Sequence, residues 1–359
     1  MRATPRGVAP GGRLRTVARA AAVLVPLGVA GNVALTLLTT ERAVLDDVAG
    51  LPLAPLVLAG ALAVVPYAVN SLRLQLWASF VGYPLRFRTA LRTVLGGLLG
   101  SAVTPTGAGG ATLKWALLAR HGVPAGRVGS LLVVETVENA AFMVVAVPAA
   151  AVWAAAADVP VLRDTLRSAG VGLTPFLVVV AAVAAVLGLA ARAAARGSLG
   201  RTPRRLVARS RGRLRRPVAD ARRVARLVAR RGKGRLALGV ALAAAQWTAK
   251  YSVAAAVLAF LGVPVDPVLS WLLQWTTFTA MSAVPTPGAA GGAEAVFAAL
   301  YSPFVPTPVL GLATAAWRLT LFYAPLVVAS VAFLGLSARR PGRAPERRLD
   351  DSHDPARTG

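Results

Sequence analysis

The chain has 359 residues, 56% of them hydrophobic and only 15% charged, with a mean hydropathy of +0.62 and a formal net charge of +26. Soluble domains carry about a quarter of their residues as charges, so this composition excludes a purely soluble protein and points to an integral membrane protein. With no cysteine and only two histidines, His121 and His353, it also excludes disulfides, thiolate chemistry and a histidine metal cluster.

In chain order, residues 1–16 form a basic N-terminal segment, and Arg2, Arg6, Arg13, Arg15 and Arg19 precede the first apolar run. That run is long and has no small-residue cleavage site after it, so it reads as an uncleaved signal anchor. A bilayer core of about 30 Å needs roughly 20 apolar residues of helix. Six stretches meet this: 17–40, 53–76, 127–153, 173–195, 236–262 and 308–336. Two more, 89–120 and 268–301, are apolar but broken in the middle by TPTGAGG at 104–110 and PTPGAAGG at 285–292. Each half is too short to span, so both read as re-entrant hairpins. Residues 337–359 form a polar, disordered tail.

The basic residues follow this topology. All of the 40 Lys and Arg residues lie in the parts expected to be cytoplasmic except Arg42, Arg163 and Arg167 in outer loops and Lys250 and Arg318 within spans. The bias places both termini in the cytoplasm and accounts for the net charge without nucleic acid. The most basic segment, 192–235, carries Val207, Leu214, Val218, Ala221, Ala225 and Val228 on one helical face, as expected of a helix lying on anionic inner-leaflet lipids. A solvated linker between the two halves is the other reading of this segment.

The two broken segments resemble each other. Pro105-Thr106-Gly107-Ala108-Gly109-Gly110-Ala111 matches Pro285-Thr286-Pro287-Gly288-Ala289-Ala290-Gly291-Gly292-Ala293 once two inserted residues are allowed. The predicted fold is therefore all-α and integral to the membrane, with about six spans and two re-entrant broken hairpins in an inverted repeat, 17–153 against 173–336. Irregular backbone at membrane depth must be buried in protein or line a wet cavity. Two hairpin tips meeting near the midplane would satisfy this, and their half-helix N-termini would favour an anion.

Charged residues inside spans are costly and are therefore candidate site residues. These are Lys114 after the first tip, Glu135 and Glu138 on one helical face, Lys250 in the fifth span, Glu294 after the second tip, and Arg318 beside Trp317. Glu135 and Arg318 stand at nearly the same distance from their Gly-rich tips, so equivalent spans present opposite charges. Either these residues line a polar pathway, or Glu135 or Glu138 pairs with Lys250 or Arg318 simply to neutralise buried charge. Lys114 can alternatively snorkel to the inner surface, and Arg73, with Asn70 and Gln75, reads as an inner-interface residue. The glycines and prolines of the tips, Pro105, Gly107, Gly109, Gly110, Pro285, Pro287, Gly288, Gly291 and Gly292, complete the expected substrate-binding set. The sequence contains no Walker loop, dinucleotide fingerprint, H-E-x-x-H or serine elbow, so no catalytic residue, metal or cofactor is expected.

AVPTPGAAGGAEAVF at 283–297 and AAWRLTLFYAPLVV at 315–328 resemble the C-terminal signature of the flippase-like membrane region of lysylphosphatidylglycerol synthases and their stand-alone relatives. TPTGAGGATLKWALLARHGVP at 104–124 and VVETVENA at 133–140 resemble two earlier blocks of that family. Thr136 and Asn139 depart from it, standing where the family commonly has Arg and Asp. The resemblance implies a membrane protein that translocates an anionic or aminoacylated lipid, either a phospholipid or a polyprenyl-phosphate-linked one. It also implies a stand-alone member without the lysyl-transferase domain, and hence no enzyme. Two other functions stay open: a small-solute or ion secondary transporter, and an accessory of a cell-envelope lipid or glycan enzyme.

Overall fold

The computed structural model describes residues 28, 30, 31, 50–104, 107–156, 228, 231–282 and 284–337. The span expected at 173–195, nearly all of those at 17–40 and 192–235, the tail after 337, and Pro105 lie outside the described residues. The described part is all-helical. In chain order it comprises α1 (Ala54–Phe80), α2 (Phe87–Ala102), α3 (Gly109–Arg120), α4 (Ala125–Ala156), α5 (Lys233–Phe260), α6 (Pro267–Met281), α7 (Gly292–Tyr301), α8 (Thr307–Arg318) and α9 (Ala324–Ser337). A single π turn, Leu319–Tyr323, joins α8 to α9, making one long helix with a bulge just after Arg318.

Helix ends follow from local sequence. At Phe80-Val81-Gly82-Tyr83-Pro84 and Phe260-Leu261-Gly262-Val263-Pro264 the glycine adopts a left-handed conformation (φ 86° and 70°), and the next residue's N–H bonds back to Ala78 O and Leu258 O. Only glycine takes that φ without strain, and the proline that follows cannot continue the helix. α6 starts on Pro267 with the Asp266 carboxylate accepting from the N–H groups of Val268 and Leu269.

The two broken segments form helix pairs, α2–α3 and α6–α7. The arms of the first cross closely, since a Cβ on Gly100 would lie 2.4 Å from Gly109 O. Its break is stapled by Thr104, whose hydroxyl donates to Gly100 O and accepts from Gly109 N. The second tip contains a turn of 3-10 helix at Pro287–Ala289, with Gly288 at φ 62°. A long helix, a Gly-x-Pro stop, a short helix, a Gly-rich tip, a second short helix and a further long helix thus occur twice in succession.

α1 and α5 lie side by side at the centre, with Ala59 and Ala63 packed into one core with Val253, Ala254 and Val257. Small residues let helices approach closely where apolar surroundings offer no hydrophobic gain between them. Among the described residues, three helical stretches are long and apolar enough to cross a membrane, Ala54–Phe80, Ala125–Ala154 and Thr307–Ala332. Their outward faces carry exposed Val64, Leu72, Val133, Val145, Val328 and Val331, the surface that lipid requires. The span expected at 236–262 is the 28-residue α5, which is long enough but alanine-rich and carries Gln246 and Lys250.

Candidate functional site

The sites form where α1, α4 and α5 converge with the two hairpins. At the base of the cluster Arg73 of α1 is buried against Glu138 of α4, with guanidinium–carboxylate contacts of 2.7 and 3.0 Å. The other N–H groups of Arg73 reach Asn139 Oδ1, Gln246 Oε1 and the Glu135 carbonyl. All five guanidinium donors are therefore engaged. The second oxygen of Glu138 accepts the indole N–H of Trp77. A Cβ on Gly239 would stand 1.6 Å from Glu138 Oε1, so α5 accommodates the carboxylate only because residue 239 is glycine.

This knot corrects two expectations. Arg73 is not an interface residue: it is 2% exposed and holds α1, α4 and α5 together. Glu138 pairs with neither Lys250 nor Arg318. The sequence does contain the pattern that finds this side of α1, because Tyr67, Asn70, Arg73 and Trp77 recur at helical spacing.

A second ion pair joins the first hairpin to the span after it. Lys114 Nζ of α3 lies 2.7 Å from Glu135 Oε1 and 3.1 Å from Oε2, and Asn70 donates to the same carboxylate. Lys114 therefore turns inward and does not snorkel. Gly97 permits this, since a Cβ there would meet the Lys114 stem at 2.9 Å.

A third ion pair does the same for the second hairpin. Arg318 Nε of α8 lies 2.9 Å from Glu294 Oε1 of α7, while Arg318 Nη2 donates to the Gly288 carbonyl at the tip and the guanidinium covers the ring of Phe322. Glu294 Oε2 is buried without a hydrogen-bond partner. Trp317 stacks on Phe297, which stacks on Tyr301, and its indole N–H donates to Gln274. It anchors α8 against α6 and α7, and its edge also reaches a cavity wall.

Two cavities adjoin within this framework, the first with the more polar lining. One, of about 430 Å³, is bordered by Asn70, Lys114, Glu135, Asn139, Gln246 and the backbone at Gly110. The other, of about 280 Å³, reaches both tips, touching Gly107, Thr286, Gly288 and Arg318. They share Tyr67, Leu98, Ser101, Lys250 and Leu321 as a common wall. Of the expected site residues, Gly107, Gly110, Lys114, Glu135, Lys250, Gly288, Trp317 and Arg318 border these cavities. Glu294 and Gly291 border a separate, largely apolar recess on the far side of the Arg318 ion pair. Gly109 and Gly292 serve close packing, and Pro285 and Pro287 are exposed. Among the described residues no cluster of His, Asp and Glu is suited to a metal.

Residues 19–329 match the family model of the lysylphosphatidylglycerol synthase TM region, and the chain belongs to that family of membrane proteins. A curated relative, a UPF0104 membrane protein of Archaeoglobus fulgidus, is 38% identical over 78 residues. That alignment covers 21% of this chain and 24% of the relative, so the chain matches about a quarter of the relative's length.

Proposed function

We propose that this protein carries the polar head group of a membrane lipid between the two leaflets, through the adjoining cavities between its two broken hairpins. The observation that carries this reading is a pair of adjoining cavities that together reach both Gly-rich tips and have Lys114, Glu135, Lys250 and Arg318 in their walls, within a framework whose outer helices present apolar faces. A head group fits spaces of this size while its acyl chains remain in lipid, so charge crosses the low-dielectric core against protein dipoles. Both termini lie in the cytoplasm of a bacterial inner membrane, the chain passes through it several times, and the basic segment 192–235 rests on anionic inner-leaflet lipids. Lys114, Glu135, Arg318 and Glu294 fix the moving hairpin arms. Exchange runs downhill or on an ion gradient. No transferase activity is assigned to the chain.

The test is leaflet exchange of labelled lipids in proteoliposomes, comparing wild type with Arg318→Ala and Glu294→Gln. Wild type is expected to accelerate exchange, and both variants to reduce it at least tenfold while remaining monodisperse. Folded wild-type protein that exchanges no lipid, with or without an ion gradient, removes this reading. Substrate-dependent currents in the same vesicles would then assign the cavities to a small solute, and co-purification with an envelope lipid or glycan enzyme would assign the protein an accessory role.

A further inference from the structure

Of the described charges in and around the cavities, all but one belong to an ion pair. Arg73 is matched by Glu138, Lys114 by Glu135, and Arg318 by Glu294. Lys250, half-buried on α5 in the wall common to both cavities, shares the first cavity with Glu135 but forms no ion pair among the described residues. Its ammonium stands 3.9 Å from the ring centre of Phe278 and 5.0 Å from that of Trp247. Trp247 is itself fixed by donation to Asn139. Aromatic faces stabilise a cation in place of water but leave its charge uncancelled and its remaining N–H donors free. Tyr67 borders the same two cavities from α1.

Three carboxylates therefore stand against four cations, and the surplus sits where a head group would pass from one cavity to the other. A phosphodiester with a single negative charge makes the set neutral. A head group of net positive charge would instead bring a like charge against Lys250 in a medium of low dielectric, where such repulsion is strong.

Resting on the translocation reading above, we infer that Lys250, with Tyr67 in the same shared wall, is an anion subsite that selects a monoanionic phosphodiester head group and rejects a cationic aminoacylated one. Lys250 binds the phosphate at the midpoint of the path, so it governs which lipid passes and leaves the fold intact.

The test has two readouts. In the first, proteoliposomes of wild type, Lys250→Gln and Lys250→Arg exchange labelled phosphatidylglycerol, phosphatidylcholine and lysylphosphatidylglycerol. Wild type is expected to move phosphatidylglycerol at least tenfold faster than the lysylated lipid. Lys250→Gln should abolish that preference, and Lys250→Arg should keep it. Equal wild-type rates for the anionic and cationic lipids, or an unchanged preference in Lys250→Gln, overturn the assignment. In the second, tryptophan fluorescence of the detergent-solubilised protein, which contains Trp247 beside Lys250, is titrated with dihexanoyl phosphatidylglycerol and with inorganic phosphate. Short-chain lipid binding that falls at least tenfold in Lys250→Gln supports the subsite even if no lipid is exchanged, an outcome that would sink translocation alone. Inorganic phosphate binding as tightly as the lipid overturns the lipid assignment in favour of a free anion. Binding indifferent to residue 250 removes the subsite whatever the transport result.

Discussion

Arg73 and Lys250 are both cations at membrane depth, and their surroundings separate structure from function. An ionised side chain at the bilayer centre costs about 2.5–3.5 kcal/mol on insertion scales. Arg73 offsets this with five hydrogen bonds, two of them to the buried Glu138 carboxylate, leaving nothing to offer a ligand. Removing one member of such a pair strands the other, at a cost of about 3–5 kcal/mol. Arg73→Leu is therefore expected to lower the unfolding temperature sharply, and Arg73→Leu with Glu138→Leu to recover much of the loss, as read by thermal unfolding in detergent. A double variant no more stable than Arg73→Leu would show that the pair does not act as a unit. Gly239 gives a finer probe of the same knot. Gly239→Ala drives a methyl into Glu138 Oε1 and should cost about 1–3 kcal/mol. Gly234→Ala, in the same helix with nothing within 4 Å, should be neutral or slightly stabilising.

The broken hairpins show how much of this architecture is written locally. The duplicated Pro-Thr-Gly-Ala-Gly-Gly-Ala pattern announces both breaks, because proline and paired glycines end a helix through their own backbone chemistry. The apolar runs announce the helices, and α1, α4, α6 and α7 lie within a few residues of the expected bounds. The charge pairing was not legible in the same way. Arg73 and Glu138 are 65 residues apart, and which carboxylate a cation meets depends on how α1, α3 and α4 pack, which no local spacing encodes. Glu135 was therefore open to Lys250 or Arg318 on sequence grounds, but Lys114 reaches it across the short α3–α4 connection. At the second tip, Gly288 combines a left-handed φ with a Cβ position 2.5 Å from Phe322 Cζ, and its carbonyl receives Arg318. Gly288→Ala should therefore shift the tip off Arg318 and reduce lipid exchange several-fold, whereas Gly60→Ala on the open face of α1 should leave exchange unchanged. Equal rates in both variants would mean that the tip geometry does not matter to transport.

Across the whole molecule the two hairpins are latched by the same device with its polarity reversed. In the first, the second arm supplies the cation, Lys114, and the following span the anion, Glu135. In the second, the arm supplies the anion, Glu294, and the span the cation, Arg318. The two latches nevertheless differ in what else they hold. Lys114 has Glu135 as its polar partner among the described contacts, and Asn70 can turn its amide to offer oxygen as readily as nitrogen. Arg318 also donates to the tip carbonyl of Gly288 and lies over Phe322, roles that need a planar guanidinium at that position. Exchanging the charges should therefore have unequal consequences. Lys114→Glu and Glu135→Lys should each destabilise the protein, and the two together should restore most of the unfolding temperature because attraction across the latch returns. Glu294→Arg with Arg318→Glu should not recover, since a carboxylate at 318 repels the Gly288 carbonyl and abandons the Phe322 face. Thermal unfolding of the four single and two double variants decides this. Recovery at both latches would reduce the second pair to a simple neutralising contact. Recovery at the first alone would make Arg318 the residue that ties the second tip to the long helix behind it, so that the two halves, alike in order, differ in how firmly each tip is held.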